Sequence, residues 1–447
     1  MKKKNNTGLL MVDKSIFFIS FTLLLFSTVR CRKEIHESSK PMAPSTTTFQ
    51  KTYGGLNNEY IGNVQQTNDS GYVIIGTTRS FGAGDEDIYV IKVNTQGNIQ
   101  WTKTYGTLSM EEGYNIRQTK DGGYILSGVG DASENYILIK ADAEGNMQWS
   151  KSYAYFGPGN NYDVQLTDDG GYIIVGPASS VAGAFCIKTD VNGNILWCNK
   201  YSGGKGVSIA KTIDGGYAIL GDGETGYGCC GSTQLTKIDL NGNVLWSKSY
   251  RGADHPLSMK KTTDGGFIIT GMTSLNYNTG SNYDVYVIKT DSSGNQIWLK
   301  TYGGATFDGA WEIEETADDG YIFSGVTGNF GEGHVLVIKT DSIGKVTWSK
   351  IFDGGKAPFS YVHQAKDGGF IVASQTAAFG AGGSDLYLIK TDSNGNVGCY
   401  ENSFSPQVTA PVTQETNTFV NISTGSIYFD IVLISGTGGI ESKLCYK

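Results

Sequence analysis

The sequence predicts an all-β protein, a seven-bladed β-propeller of four-stranded antiparallel blades, and three observations carry that prediction. The segment KTDxxGNxxW recurs as KADAEGNMQW (140–149), KTDVNGNILW (188–197), KIDLNGNVLW (237–246), KTDSSGNQIW (289–298) and KTDSIGKVTW (339–348). It is blurred in KVNTQGNIQW (92–101) and truncated in KTDSNGNVGC (390–399). A second landmark, Asp-Gly-Gly-aromatic, starts at Asp121, Asp169, Asp214, Asp264 and Asp367, with variants at Asp69 and Asp318. Thirdly, Trp101, Trp149, Trp197, Trp246, Trp298 and Trp348 step along the chain by about 50 residues, the length of a kelch-like propeller unit.

The chain opens with MKKK and the apolar run Ile16–Phe26, which reads as a signal peptide over 1–30. The run is too short for a membrane span. Cys31 follows at the distance of a lipoprotein cysteine, and residues 31–46 form a polar, flexible tether. Arg30 and Thr28 depart from the usual lipobox, so lipidation at Cys31 and ordinary cleavage nearby both stay open. The expected location is outer membrane or cell surface, otherwise periplasmic or secreted.

Residues 47–402 are the propeller. In the fifth unit the four strand-like runs are Leu257–Thr263, Phe267–Met272, Asp284–Lys289 and Gln296–Tyr302. Asp-Gly-Gly turns the first into the second, and Asp with Gly-Asn turns the third into the fourth. Both turns need residues that tolerate positive φ. The chain holds 62 Gly and 26 Tyr with only 17% charged residues, a composition for short strands and glycine turns. Phe49–Tyr53 resembles a fourth strand with no third strand before it, while the seventh unit stops at Cys399 without its Trp. The N-terminal segment should therefore complete the last blade beside Leu386–Lys390, with Val397–Asn402 as the competing occupant. Residues 403–447 are expected to form an appended β-hairpin from Thr418–Ile422 and Ile427–Ile434.

A Trp or Tyr present in nearly every unit belongs between blades. The paired Lys and Asp of Lys140/Asp142, Lys188/Asp190 and their equivalents read as an Asx-turn. No DxDxDG calcium loop or His-Cys spacing for a metal is present, and no nucleophile is paired with an oriented base. Hence no cofactor, metal or catalytic residue is expected. A net charge of −8 argues against nucleic acid. Besides Cys31 there are six cysteines. Cys186 and Cys198 are equidistant from Asn192 and read as facing each other across a hairpin. Cys399 and Cys445 could staple the tail, and Cys229 and Cys230 are adjacent.

Binding groups belong where the units differ. The two repeated turns share one end of each blade, so the opposite, loop-rich face is the candidate surface. There Tyr155, Phe156, Tyr227, Tyr277, Phe307 and Trp311 would contact carbohydrate or peptide. Alternatively they tuck against the blade tops. First strands line the central channel, where Arg117, Lys260, Glu314 and His363 would hold a small polar ligand.

The turn D-x-x-G-N-x-x-W resembles that of quinoprotein-type propellers, and Cys229–Cys230 resembles their adjacent-cysteine disulfide. That resemblance implies a periplasmic quinone-dependent or sugar-acting enzyme working in the channel. The whole repeat, DGGYII-G…DxYxIKTDxxGNxxWxKTYGG, looks more like exported propeller lipoproteins of Gram-negative bacteria, a resemblance that also covers the Gly398-Cys399…Cys445 tail. It implies a scaffold and supplies no ligand. The expected protein is a monomer bound to a membrane only through its lipid, with a protein or carbohydrate ligand at the loop-rich face.

Overall fold

In a computed structural model, each unit folds into an antiparallel sheet whose second and third strands are buried on both faces. That explains why Tyr72–Thr78 and Asp87–Val93 are unbroken apolar-rich runs and do not alternate. The described residues are 47–130, 135–154, 163–178, 183–223, 231–273, 283–328, 333–354 and 359–411, with backbone only for the strands of the tail beyond.

Blade 1 is built from Glu59–Gln66, Tyr72–Thr78, Asp87–Val93 and Ile99–Gly106. Blades 2 to 6 repeat it, with first strands Glu111–Gln118, Asp163–Leu166, Lys205–Lys211, Pro256–Lys261 and Phe307–Glu315. Blade 7 takes three strands, Ser360–Gln364, Phe370–Thr376 and Asp385–Thr391, from the end of the array. Its fourth is Phe49–Gly54, antiparallel to the third with Phe49 opposite Lys390 and Tyr53 opposite Leu386. The predicted closure is therefore present, and Val397–Asn402 does not fill that slot. First strands of successive blades contact one another all the way round, blade 7 against blade 1 included, so the seven sheets form a closed ring.

Blades are joined by the repeated aromatics. The Tyr105 hydroxyl donates to the Gly145 carbonyl of the next blade at 2.5 Å, and Tyr153 does so to Gly193 at 2.7 Å. The Trp101 ring covers the same Gly145, whose φ is 77° and whose missing Cβ would lie 2.8 Å from the indole. At the closure, Phe49 takes the place of Trp against Gly97, and Tyr53 donates to the Gly97 carbonyl at 2.6 Å.

The Asx-turn is present: Asp142 Oδ1 accepts from the backbone N–H of Glu144 and of Asn146. The lysine before it does something else. Lys140 reaches back 2.9 Å to Asp121, in the turn between the first two strands. The equivalent pair recurs in all seven blades, from Lys92–Asp69 to Lys390–Asp367.

Two expectations are corrected. The C-terminal tail is not a hairpin. It travels back round the ring and adds a fifth antiparallel strand to each blade in reverse order. Glu401–Ser403 pairs with blade 6, Gln407–Thr409 with blade 5 and Gln414–Asn417 with blade 4. Ile422–Thr424, Tyr428–Phe429 and Ile434–Gly436 follow on blades 3, 2 and 1, and Ile440–Tyr446 ends against Phe49–Gly54. The physical reason is the row of open N–H and C=O groups on each outer strand, which the tail pairs.

Cys186 and Cys198 do not face each other. A register shift after Lys188 places Cys198 opposite Ile187 and Cys186 opposite Asn199. One residue of offset turns the two sulfurs to opposite faces. Cys186 packs with Ile173 and Tyr217, Cys198 with Tyr153 and Tyr172.

Candidate functional site

The axis of the ring is shaped by one bulge in most of the first strands. The register slips between Ile61 and Asn63, Gly113 and Asn115, Gly206 and Ser208, Pro256 and Ser258, and Ala310 and Glu312. A bulge re-aims one side chain out of the ladder. The extra residues, Gly62, Tyr114, Val207, Leu257 and Trp311, all line a cavity on the axis. Every blade contributes to that cavity, blade 3 through Asp163 and blade 7 through Tyr361.

Beside it lies a second cavity of about 250 Å³, walled by Tyr60, Tyr114, Trp311, Phe359 and Tyr361. The Trp311 ring meets Phe359 edge-on at 5.6 Å and Phe307 at 6.4 Å. Polar groups enter the same wall. The Arg79 Nε donates to Glu86 Oε1 at 2.6 Å, its guanidinium lies 5.7 Å from the centre of the Tyr60 ring, and the Tyr114 hydroxyl donates to Glu112. Gly62 sits where two blades close in, because a Cβ there would meet the Gly113 carbonyl at 2.2 Å.

The axial cavity is polar and internally neutralised. Asp163 accepts from Asn115 Nδ2 at 2.9 Å, Ser208 Oγ at 3.0 Å and the Ile209 N–H at 3.1 Å, with the Arg117 guanidinium 3.6 Å away. Glu312 lies 2.5 Å from Lys260. Burial acts to raise the Glu312 carboxyl, but Lys260 first, then His363 and Arg117, outweigh it and hold it below its ordinary value.

Of the residues singled out from the sequence, Arg117, Lys260, Glu314 and His363 all stand on first strands. The structure distributes them among acids: Arg117 to Asp163, Lys260 to Glu312, and His363 Nδ1 to Glu314 Oε2 at 2.9 Å. Trp311 is not on a loop: it is the bulged residue of Phe307–Glu315 and only 7% exposed. Phe307 opens that strand and packs on Tyr283 at 5.9 Å. Tyr155, Phe156, Tyr227, Tyr277, Cys229, Cys230 and Cys31 lie outside the described residues.

Sequence reasoning missed Tyr60, Tyr114, Asn115, Asp163, Glu312, Phe359 and Tyr361. A signal existed for some of them. Six residues ahead of successive Asp-Gly-Gly aspartates, or of their variants, stand Asn63, Asn115, Asp163, Ser208, Ser258 and Glu312, a polar residue at one repeated position of the first strand.

No family model matches this sequence, and no curated protein matches it. Among solved structures the chain is similar to the Dos1 propeller, at 11% identity and a TM-score of 0.46, covering 74% of this chain and 77% of that one. It is also similar to an ulvan lyase described as a new family of polysaccharide lyase, at 10% identity and a TM-score of 0.45, covering 77% and 97%. A protein of unknown function from Bacteroides caccae aligns at 13% identity and a TM-score of 0.37, covering 56% and 93%.

Proposed function

We propose that this protein is an exported binding propeller that takes a carbohydrate in the aromatic cavity beside the ring axis. One observation carries the reading: five aromatic side chains from blades 1, 2, 6 and 7, together with a polar set of Arg79, Glu86 and Glu112, wall a single cavity. Aromatic faces take the C–H side of a sugar ring, while charged and hydroxyl groups at the edge hold its hydroxyls. A peptide is the other occupant the loop-rich face would admit. The cavity favours sugar, since it lies off the sheet edges that an extended peptide would need.

Export through residues 1–30 and a lipid on Cys31 belong to the same proposal, as does a Cys399–Cys445 staple. What supports the staple is that Cys445 lies opposite Gln50, whose amide donates to the Cys399 carbonyl. An oxidising compartment outside the cytosol suits such a bond.

The test is a glycan array followed by calorimetry with the best glycan, on wild type, Trp311→Ala and Tyr60→Ala. Loss of binding by at least tenfold in both variants, with unfolding temperature retained in the second, supports the reading. Unchanged binding in both, or an array without signal, overturns it.

A further inference from the structure

Resting on the carbohydrate reading above, we propose that the axial cavity reads the hydroxyl edge of an uncharged sugar at the end of a chain, the ring of that sugar being stacked in the aromatic cavity. Tyr114, Trp311 and Tyr361 line both cavities, so a ring held by the aromatics has one edge over the axis. The axial cavity measures about 50 Å³. That is several times the roughly 10–15 Å³ one water requires, enough for hydroxyl groups and too little for a second ring.

Its lining asks for hydrogen-bonding partners. Among the described residues Ser258 Oγ and Asn115 Oδ1 face no partner, although Ser258 is 3% and Asn115 6% exposed. Buried hydroxyl and amide groups without partners cost stability unless something completes them. One is a donor as well as an acceptor and the other an acceptor, which suits a vicinal pair of sugar hydroxyls.

Charge selects among sugars. The acids Asp163 and Glu312 are already met by Arg117 and Lys260, so among the described residues the cavity has no spare cation for a uronate, sulfate or phosphate. A ligand bearing one would bring an unpaired charge into a buried place.

The size of the axial cavity decides that an end is recognised. At about 50 Å³ it admits no second ring, so the chain cannot continue beyond the seated sugar on that side. Only a terminus can be seated.

The experiment uses the full chain with oligosaccharides of the class found by the array, each in three forms: unmodified, with the terminal sugar O-methylated, and with that sugar oxidised to a uronate. Ser258→Ala and Trp311→Ala are measured alongside wild type. The expected results are at least tenfold weaker binding of both modified forms, and a loss of about fivefold in Ser258→Ala. Ser258→Ala should fold normally, because the removed hydroxyl has no partner. If Trp311→Ala loses binding while terminal modification and Ser258→Ala change nothing, the axial cavity holds water alone and this inference falls while the aromatic site stands. If no oligosaccharide binds wild type, both fall.

Discussion

Lys188 Nζ lies 2.7 Å from Asp169 Oδ2, joining the third strand of blade 3 to the turn between its first two strands. The lysine side chain is 5% exposed and the aspartate 57%, so the pair is a buried cation capped by a carboxylate at the surface. Lys188 also donates to the Thr189 carbonyl at 3.0 Å. The same geometry in every blade makes it the internal clamp of the repeat.

An asymmetry between the partners follows. Asp169→Asn strands a buried ammonium, whereas Lys188→Met leaves a carboxylate that water can still solvate. Chemical denaturation should show Asp169→Asn destabilised by about 1 kcal/mol, and Lys188→Met by less. Equal losses would show that the pair contributes only packing.

The clamp also sets the acid limit of the fold. Burial works to raise the Asp169 carboxyl, but Lys188, the Thr167 hydroxyl and the Gly171 N–H prevail and take it to about 2. Asp121 is likewise lowered to about 2, chiefly by the Thr119 hydroxyl and then by Lys140. A lowered folded pKa gives stability that is present above the ordinary value of 3.8 and lost as pH falls toward 2. With these carboxylates more than half exposed, each site is worth roughly 0.5–1 kcal/mol after solvent screening. Unfolding temperature should drop steeply between pH 4 and pH 2, and less steeply in Asp121→Asn.

Asp308 behaves oppositely. It is fully buried at the start of blade 6, and burial first, then the nearby charge of Asp284, raise its carboxyl to about 6. Its Oδ2 accepts from the Gly304 N–H at 2.8 Å, while Oδ1 has no hydrogen-bond partner among the described residues. A raised folded pKa contributes stability below the ordinary carboxylate value that is lost as pH rises through 6. Asp308→Asn keeps the acceptor for Gly304 and removes the charge. At pH 7.5 it should stabilise the protein by about 1–3 kcal/mol, and at pH 4 leave it near wild type. No gain at pH 7.5 would place Asp308 in contact with solvent or a counter-ion.

The blade count and the closure by Phe49–Gly54 were legible because they rest on residues repeated for packing. Trp101 and Tyr105 must meet the turn of the next blade, so Phe49 and Tyr53 announce a blade edge wherever they occur. Tail strands were not legible. Segments of two to four residues such as Tyr428–Phe429 are too short to carry a period, and their pairing is specified by the outer strands they cover. The site was half legible. Arg117 and His363 stand out as polar groups at one repeated position before the Asp-Gly-Gly turn, but Trp311 reads as a loop aromatic and Tyr114 carries no mark in the repeat. A bulge, which no local pattern marks, is what turns them to the axis.

The joint between blades should yield to two small changes at one place. Tyr105→Phe removes the hydroxyl that meets the Gly145 carbonyl and should cost about 1 kcal/mol. Gly145→Ala forces a side chain into positive φ and against Trp101, and should cost more, about 1–3 kcal/mol. Because both act on one contact, the double variant should lose less than the sum. Strict additivity in denaturant melts would mean that the two residues hold the blades independently.

The belt formed by residues 401–446 supplies the last prediction. It starts on blade 6 and ends on blade 7, where Ile440–Tyr446 pairs with Phe49–Gly54, the strand that closes the ring. Removing it reopens seven outer edges at once, and open edges invite pairing between molecules. A chain ending at Cys399 should therefore keep its propeller circular dichroism yet aggregate on concentration, as light scattering would show. If the Cys399–Cys445 staple fastens the belt, Cys399→Ser should lower stability by about 2–4 kcal/mol, the range expected for closing a loop of this length. Digestion without reductant should release one peptide pair carrying both cysteines, and Cys445→Ser should match Cys399→Ser in stability. If either serine variant unfolds at the wild-type midpoint, hydrogen bonds to the outer strands hold the belt unaided. In that case the truncated chain, lacking both strands and staple, should be the only variant to aggregate.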